Sequence, residues 1–253
     1  MSALRLFLIA FLALLAVACS KVSMENYARL KTGQSYDEVV AILGNPTRCD
    51  EMLGVRSCLW GDDNRGIKVG FVGSPEAVAA IAAFASDYPS VPVIAYMPDL
   101  SWWDEAEIDA YLDAFRELLL PQTAVLVGNN TTLRHWLLPE SASHRHAGST
   151  DLARAAAELG VSYVLVTGLP QPGEQVASVL ASPQAELCRQ SFERIDAAFL
   201  GAGDILSAAL AALLAMGSEL TEAATEALQY LDQALDHGFR PGMGRAVADR
   251  LFW

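Results

Sequence analysis

From residue 67 to the end of the chain, short apolar runs alternate with alanine- and leucine-rich stretches of helical length. The apolar runs predict strands over residues 67–72, 91–96, 123–127 and 163–167. The stretches between them predict helices over residues 75–85, 104–119 and 151–159. Apolar strands separated by helices are typical of a parallel sheet that is covered on both faces. The sequence therefore predicts a doubly wound α/β domain, which binds ligands at the carboxyl ends of its strands.

Composition and charge restrict the partners of the chain. Hydrophobic residues make up 53% of the sequence and charged residues 19%, which is a globular composition. The formal net charge of −13 predicts a surface that repels nucleic acid, so we expect no nucleic-acid partner. This charge does not exclude ATP, because backbone N–H groups can hold phosphates locally.

Residues 1–19 have the order of a secretory signal peptide: Arg5, an apolar run, small residues and then Cys19. The run is shorter than the roughly 20 residues of a transmembrane helix. The segment that ends in Cys19 resembles a bacterial lipobox, with Ala16 at the position where leucine is usual. That resemblance implies a lipid on Cys19 and a membrane anchor facing the periplasm. An uncleaved anchor and a mis-assigned start codon are the alternatives.

Residues 20–66 predict a small α+β module ahead of the larger domain. Apolar residues at helical spacing predict a helix over residues 35–43, with Ser35 and Glu38 forming a capping box. Gly44 and Pro46 end this helix. Two short strands are predicted over residues 58–60 and 67–69, around a turn at residues 61–64.

The segment KTGQSYDEVVAILGNP, residues 31–46, resembles the small domain of outer-membrane lipoproteins related to the small-protein-A assembly factor. The resemblance implies a helix packed on a small sheet in the periplasm, with a binding or scaffolding role and no catalysis. In such an oxidising compartment we expect Cys49 and Cys58 to form a disulfide. Two buried thiols are the alternative.

A glycine-rich turn carries the strongest chemical signal in the sequence. Gly201, Ala202, Gly203 and Asp204 follow a predicted strand end and precede a long apolar helix. Glycines leave room for a phosphate beside the backbone, and the unpaired N–H groups of a first helical turn attract it. A carboxylate at this turn can take a proton from a hydroxyl while the amides hold a phosphoryl group. The alternative is a simple helix cap.

Several segments extend this signal: GAGD with its helix at residues 201–228, RELLLPQT at 116–123, YVLVTG at 163–168, VLASPQAE at 179–186, and the ending at 238–253. Together they resemble the ribokinase-like hydroxymethylpyrimidine/phosphomethylpyrimidine kinases and their relative pyridoxal kinase. The resemblance implies a ribokinase-like fold over residues 67–253. It also implies ATP-dependent phosphorylation, with Mg²⁺, of the hydroxymethyl group on a pyrimidine or pyridoxal-like heterocycle. In the pyrimidine kinases this reaction belongs to thiamine biosynthesis.

The resemblance also assigns roles to individual residues. Asp204 is implied as the general base, with the amides of Gly201, Ala202 and Gly203 as the anion hole. Thr167 and Gly168, at a strand end, match the side of the site that holds the nucleotide phosphates. The family's Asn-x-x-Glu motif is only partly present, with Asn129 in the first position and Thr132 in place of the glutamate that helps to organise Mg²⁺.

The sequence departs from the family pattern most strongly at the amino-terminal end of the kinase-like domain. The family opens with a strand and a glycine-rich stretch that holds the heterocycle, and no such stretch precedes residue 67. The family's Asp-Pro pair also appears here as Met97 and Pro98. A doubly wound sheet without its first strands exposes apolar edges. We therefore expect reduced stability, completion of the sheet by the small module, or association with another chain, for example as a homodimer.

Two further residue groups are less informative. His135, His144 and His146 have no carboxylate or cysteine at ligand spacing, so the sequence predicts no metal site formed by histidines. Trp102 and Trp103 follow a turn, where they either cap a pocket or pack at the start of a helix.

Three functional hypotheses stay open at this point. The first is an active kinase, and the second is a membrane-anchored periplasmic lipoprotein with a scaffolding role and an inactive kinase remnant. The third is a fusion without a joint function. The leader predicts export to the periplasm, where ATP is lacking, whereas the kinase family implies the cytoplasm.

Overall fold

The computed structural model describes residues 26, 29–31, 34–46, 48–52, 55–60, 67–138 and 147–252. The chain forms two compact units, residues 1–63 and residues 64–253. The predicted signal peptide with Cys19, the turn at residues 61–64, and His144 and His146 lie outside the described residues. In the part of the chain that is described, no helix is long and apolar enough to cross a membrane.

The first unit contains a capped helix and a disulfide-linked hairpin. Helix α1 (Tyr36–Leu43) starts after Ser35, whose backbone N–H donates to Glu38 Oε2 at 2.7 Å, and the predicted capping box is present. Strands β1 (Arg48–Met52) and β2 (Val55–Leu59) pair antiparallel, and a disulfide joins Cys49 to Cys58 across the pair. The hairpin and helix of this unit are therefore each held by local contacts.

Strands are present near both positions predicted around residues 61–64, but they belong to different sheets. Strand β2 pairs with β1 over its whole length. Strand β3 (Ile67–Val69) instead pairs in parallel with β4 (Val93–Met97) in the second unit. The Ile67 N–H donates to the Pro92 carbonyl at 3.0 Å, which fixes β3 as part of the larger sheet.

The second unit is built on a six-stranded sheet in the order β3-β4-β5-β6-β7-β8. Its remaining strands are β5 (Thr123–Asn129), β6 (Tyr163–Pro170), β7 (Gln175–Ala181) and β8 (Glu186–Glu193). Strands β3 to β6 are parallel, whereas β7 and β8 are antiparallel to their neighbours. The predicted mostly parallel α/β sheet is thus confirmed, and the antiparallel pair is an addition that the sequence analysis did not predict.

Helices cover both faces of this sheet. They are α2 (Pro75–Ser86), α3 (Glu105–Ala114), α4 (Asn130–Leu137), α5 (Ser149–Glu158), α6 (Ala202–Ala215) and α7 (Leu220–Asp236). The predicted helix over residues 104–119 is interrupted, because α3 passes into a π-helical turn, Phe115–Leu119, and a 3₁₀ turn, Leu120–Gln122. Two short strands, β9 (Phe199–Leu200) and β10 (Ala246–Val247), form a separate parallel pair.

Alternate strand residues supply two hydrophobic cores, one on each face of the sheet. On β4, Ala95 belongs to the core that also contains residues of α2, α3, α4 and α5. Its neighbour Ile94 belongs to the core that contains residues of α6 and α7. Because α6 packs against β3, β4 and β5, its amino terminus lies at the carboxyl ends of these strands. That edge is where ligands bind in parallel sheets.

An aromatic cluster covers the end of the sheet beside β3. Phe71 makes edge-to-face contacts with Trp102 and Trp103, at centroid distances of 5.5 and 5.0 Å. Trp103 also packs against the buried ring of Tyr111, whereas Trp102 is 67% exposed. Trp103 therefore packs at the start of α3, and Trp102 is the exposed member of the pair.

We expect the free energy of unfolding to depend on Tyr111 in alkaline solution. Burial raises the pKa of Tyr111 to about 12, compared with about 10 for an exposed tyrosine. Between these values the unfolded chain loses a proton that the folded protein keeps, so stability falls as the pH rises. The loss is about 1.4 kcal/mol per pH unit, or about 2–3 kcal/mol in total.

Tyr111→Phe should remove that part of the pH dependence, because phenylalanine keeps the ring and has no proton to lose. Urea unfolding of both proteins from pH 9 to pH 12 measures the difference. Equal slopes of stability against pH in the two proteins would contradict this role of the Tyr111 hydroxyl.

Candidate active site

The amino terminus of α6 has the form predicted from the glycine-rich turn. Gly201 precedes the helix with φ of +77°, a left-handed conformation that favours glycine. No described side chain caps the helix, and the first intrahelical bond is from the Ile205 N–H to the Gly201 carbonyl. The N–H groups of Ala202, Gly203 and Asp204 therefore have no partner within the helix. Such amides, together with the helix dipole, can bind an anion.

Residues 201 and 203 are glycines for different structural reasons. A Cβ atom on Gly201 would meet nothing within 4 Å, so the backbone there is open. A Cβ atom on Gly203 would lie 2.2 Å from ring atoms of Tyr96. The approach of a phosphate, predicted as the reason for both glycines, therefore does not account for Gly203, which is needed because the Tyr96 ring fills the space beside it.

Asp204 lies at the surface of the site and contacts a lysine. Its side chain is 52% exposed, and its Oδ1 atom forms an ion pair with Nζ of Lys68 on β3. A Cβ atom on Gly70, two residues after Lys68, would lie 2.7 Å from Nζ and 2.8 Å from Oδ1. The carboxylate therefore stands over the carboxyl end of β3, in a space that exists because residue 70 is glycine.

The electrostatic environment also includes Tyr96. Burial raises the pKa of the Tyr96 hydroxyl, and the negative charges of Asp204 and Asp99 raise it further. Tyr96 is consequently neutral at physiological pH, so it can serve as a hydrogen-bond donor near the Asp204 carboxylate. A lysine, a tyrosine and an aspartate thus meet at the start of α6.

A cavity of about 780 Å³ adjoins this group of side chains. Its walls come from β3, α6, α7 and the carboxyl-terminal segment. Residues on its surface include Lys68, Gly201, Asp204, Ala208, Tyr230 and Arg250. The volume lies in the range of small-molecule sites, which is about 300–1,000 Å³.

The residues predicted to bind the nucleotide phosphates lie together at the ends of β5 and β6. Asn129 and Thr167 are register partners, and Asn129 Oδ1 accepts a hydrogen bond from the Thr131 N–H at 2.9 Å. Gly168 has φ of +71°, and a Cβ atom there would lie 2.6 Å from Asn129 Nδ2. Strands β5 and β6 are parallel to β3 and β4, so this group and Asp204 lie at the same edge of the sheet.

The residues that are present fit a nucleotide better than a protein-held metal ion. The free amides of α6 and the Lys68 ammonium offer donors to phosphate oxygens. Among the described residues, no group of three or more His, Cys, Asp or Glu side chains is placed to hold a metal ion.

Sequence reasoning did not identify Lys68, Gly70 and Tyr96 as site residues. Lys68 was assigned only to a strand, although a lysine within the otherwise apolar run IKV was a usable signal. Tyr96 was likewise assigned only to a strand. Their role follows from the position of α6 over β3 and β4, which is a contact between segments more than 100 residues apart.

Comparison with known proteins identifies the family of the larger unit. The family model for phosphomethylpyrimidine kinase matches residues 56–249. The chain belongs to the phosphomethylpyrimidine kinase family. The match to this family begins before residue 67, the start predicted from the sequence, and includes most of strand β2.

Relatives of this family include pyridoxal kinases. The pyridoxine/pyridoxal/pyridoxamine kinase of Bordetella avium is 30% identical over 180 residues, which are 68% of this chain and 60% of that protein. The chain thus spans 60% of the length of this curated relative. No comparison supports the resemblance of residues 20–66 to small-protein-A lipoproteins, which stays a prediction.

Solved structures of pyridoxal kinases share the fold. The Bacillus subtilis pyridoxal kinase in its ADP complex superposes with a TM-score of 0.62 at 20% identity, covering 78% of this chain and 79% of that one. The Staphylococcus aureus pyridoxal kinase with AMP-PCP and pyridoxal gives a TM-score of 0.61 at 15% identity, covering 79% and 78%. The ribokinase-like α/β fold of this family member is thereby shown.

Proposed function

We propose that this protein is a phosphotransferase that transfers the γ-phosphoryl group of ATP to a hydroxymethyl group on a small aromatic heterocycle. The observation that carries the proposal is the position of Asp204, which is half-exposed at an uncapped helix amino terminus and borders a cavity of about 780 Å³. A base beside free backbone amides is the arrangement that proton abstraction and phosphoryl stabilisation both require.

Each part of the site has a role in the proposed reaction. Asp204 accepts the proton of the substrate's hydroxymethyl group while the oxygen of that group attacks the γ-phosphorus of ATP. The N–H groups of Ala202 and Gly203 hold the oxygens of the transferring group, and ADP leaves with the bridging oxygen. Asn129 and Thr167, at the ends of β5 and β6, line the part of the sheet edge assigned to the nucleotide phosphates. Mg²⁺ bound to ATP would neutralise part of the phosphate charge.

Two heterocycle classes are candidates for the substrate. The family model favours hydroxymethylpyrimidine or its phosphate, which would place the reaction in thiamine biosynthesis. The Bordetella avium relative favours pyridoxal and its analogues. Both classes offer a hydroxymethyl group on a planar aromatic ring, so the chemistry at Asp204 is the same for each.

A second function is favoured by the first unit. The disulfide between Cys49 and Cys58 is typical of an oxidising compartment, and it agrees with the export predicted from residues 1–19. A periplasmic lipoprotein anchored through Cys19 would use its kinase-like unit for binding or scaffolding. Palmitate labelling that is present in the natural protein and lost in Cys19→Ala would support that function.

Product formation tests the proposed kinase function directly. The full chain is incubated with ATP and Mg²⁺ and with hydroxymethylpyrimidine, hydroxymethylpyrimidine phosphate or pyridoxal in turn. Mass spectrometry should detect one added phosphoryl group on at least one of them, together with an equal amount of ADP. The kinase proposal would be wrong if circular dichroism shows a folded protein that nevertheless forms no product and binds no ATP in calorimetry.

A further inference from the structure

We infer that Lys68 is a second catalytic residue, whose ammonium leaves Asp204 to bind the transferring phosphoryl group when ATP enters. This inference rests on the proposed kinase function and extends it. It assigns a role to a side chain that comes from β3 rather than from the glycine-rich turn. Lys68 is also the last lysine in the sequence.

The position of Lys68 is the first argument. Its Nζ atom contacts Asp204 Oδ1, and both side chains line the same cavity. The Lys68 side chain is 25% exposed and borders the cavity. A phosphate in the cavity that binds the free amides of α6 would therefore lie close to the Lys68 ammonium.

The charges at the start of α6 give the second argument. A bound phosphoryl group brings several negative oxygens to a place where one carboxylate already stands. The partial positive charge of the helix amino terminus attracts both anions, but it does not separate them. An ammonium that forms hydrogen bonds with a phosphate oxygen offsets this repulsion, and charge-assisted bonds of this type are among the stronger ones.

The third argument is that the lysine can change its partner. Nζ and Oδ1 occupy the space that a side chain at residue 70 would fill, since a Cβ atom on Gly70 would come within 2.7 and 2.8 Å of them. Lysine carries its charge on a flexible four-carbon stem, so a small rotation moves Nζ from one oxygen to another. Asp204 is then free of its partner at the moment when it must accept a proton.

The charge balance of the transfer completes the argument. A positive charge fixed to β3 supplies the protein's own contribution to charge stabilisation at this point. The step balances as an ordinary transfer: the substrate oxygen bonds to the γ-phosphorus, the bond to the bridging oxygen breaks, ADP leaves, and Asp204 takes the proton.

The inference predicts a specific change in nucleotide preference. Lys68→Met keeps most of the stem and removes the charge. We expect the affinity for AMP-PCP to fall by about 10- to 100-fold, the range for loss of one charged hydrogen bond, and the affinity for ADP to fall much less. Titration calorimetry with each nucleotide in the presence of Mg²⁺ measures the two affinities. A merely structural role for Lys68 would weaken both nucleotides equally.

Matched variants complete the test. Lys68→Arg keeps the charge and should retain most of the preference for AMP-PCP, while Lys31→Met makes the same substitution in the other unit and should change nothing. If Lys68→Met does not fold, Lys68→Gln provides the test, because it removes the charge and keeps a polar amide group beside Asp204. It should lower the preference for AMP-PCP in the same direction.

The possible results separate this inference from the proposed function. An unchanged ratio of AMP-PCP to ADP affinity in Lys68→Met, or in Lys68→Gln if the former is unfolded, overturns the role of Lys68 and leaves the kinase proposal intact. Natural protein that binds neither nucleotide and forms no product instead overturns the kinase proposal itself. A selective loss of AMP-PCP affinity that arginine restores supports the inference.

Discussion

Replacing Asp204 by asparagine is expected to lower kcat for phosphoryl transfer by about 100- to 10,000-fold, the range for loss of a general base. Asparagine has nearly the same shape as aspartate but cannot accept the proton of the substrate hydroxyl. Because the side chain is 52% exposed, the substitution should leave the fold intact. Initial rates of ADP release at saturating substrate, measured beside thermal unfolding of both proteins, give the result.

The control for this prediction is Asp109→Asn. Asp109 is exposed on α3, which packs on the face of the sheet opposite α6, so the same chemical change there should leave kcat unaltered. ATP affinity in Asp204→Asn should stay close to that of the natural protein or improve, since one negative charge is removed near the phosphates. A variant that retains more than about a tenth of the natural kcat would show that Asp204 is not the base.

Gly203→Ala is expected to destabilise the protein by about 1–3 kcal/mol and to impair catalysis at the same time. The new methyl carbon would lie 2.2 Å from ring atoms of Tyr96, which is far closer than atoms can pack. Since the ring is held between α6 and β4, relief of this clash requires the start of α6 to move. The free amides and Asp204 move with it, so both unfolding free energy and kcat should fall.

A double-mutant cycle isolates the cause. Tyr96→Val removes the ring, and the pair Gly203→Ala with Tyr96→Val should be more stable than the sum of the single effects, by about 1–2 kcal/mol. Gly242→Ala is the matched control, because a Cβ atom on Gly242 meets nothing within 4 Å. Strict additivity in chemical denaturation would refute the contact between residue 203 and the Tyr96 ring as the source of the destabilisation.

Local signals in the sequence were sufficient for much of the fold. The capping box of Ser35 and Glu38 and the four parallel strands were predicted because each depends on residues that are close in the chain. The pairing of β2 with β1 was not predicted, because β1 has the mainly polar sequence RCDEM and therefore lacks a strand-like apolar pattern. Strands β7 and β8 were not predicted. On β8, which lies at the edge of the sheet, exposed and partly buried residues alternate, so the apolar signal of this strand is weak.

The sequence by itself determined the fold class, the family and the residues of the glycine-rich turn, since these depend on periodicity and on a contiguous motif. Only the tertiary structure decided what surrounds that motif. Lys68 reaches Asp204 from β3, and Tyr96 occupies the space beside Gly203 from β4, because the sheet and α6 bring distant segments together. The chemistry proposed for the site depends on those distances, and distances between remote residues follow from packing rather than from local sequence.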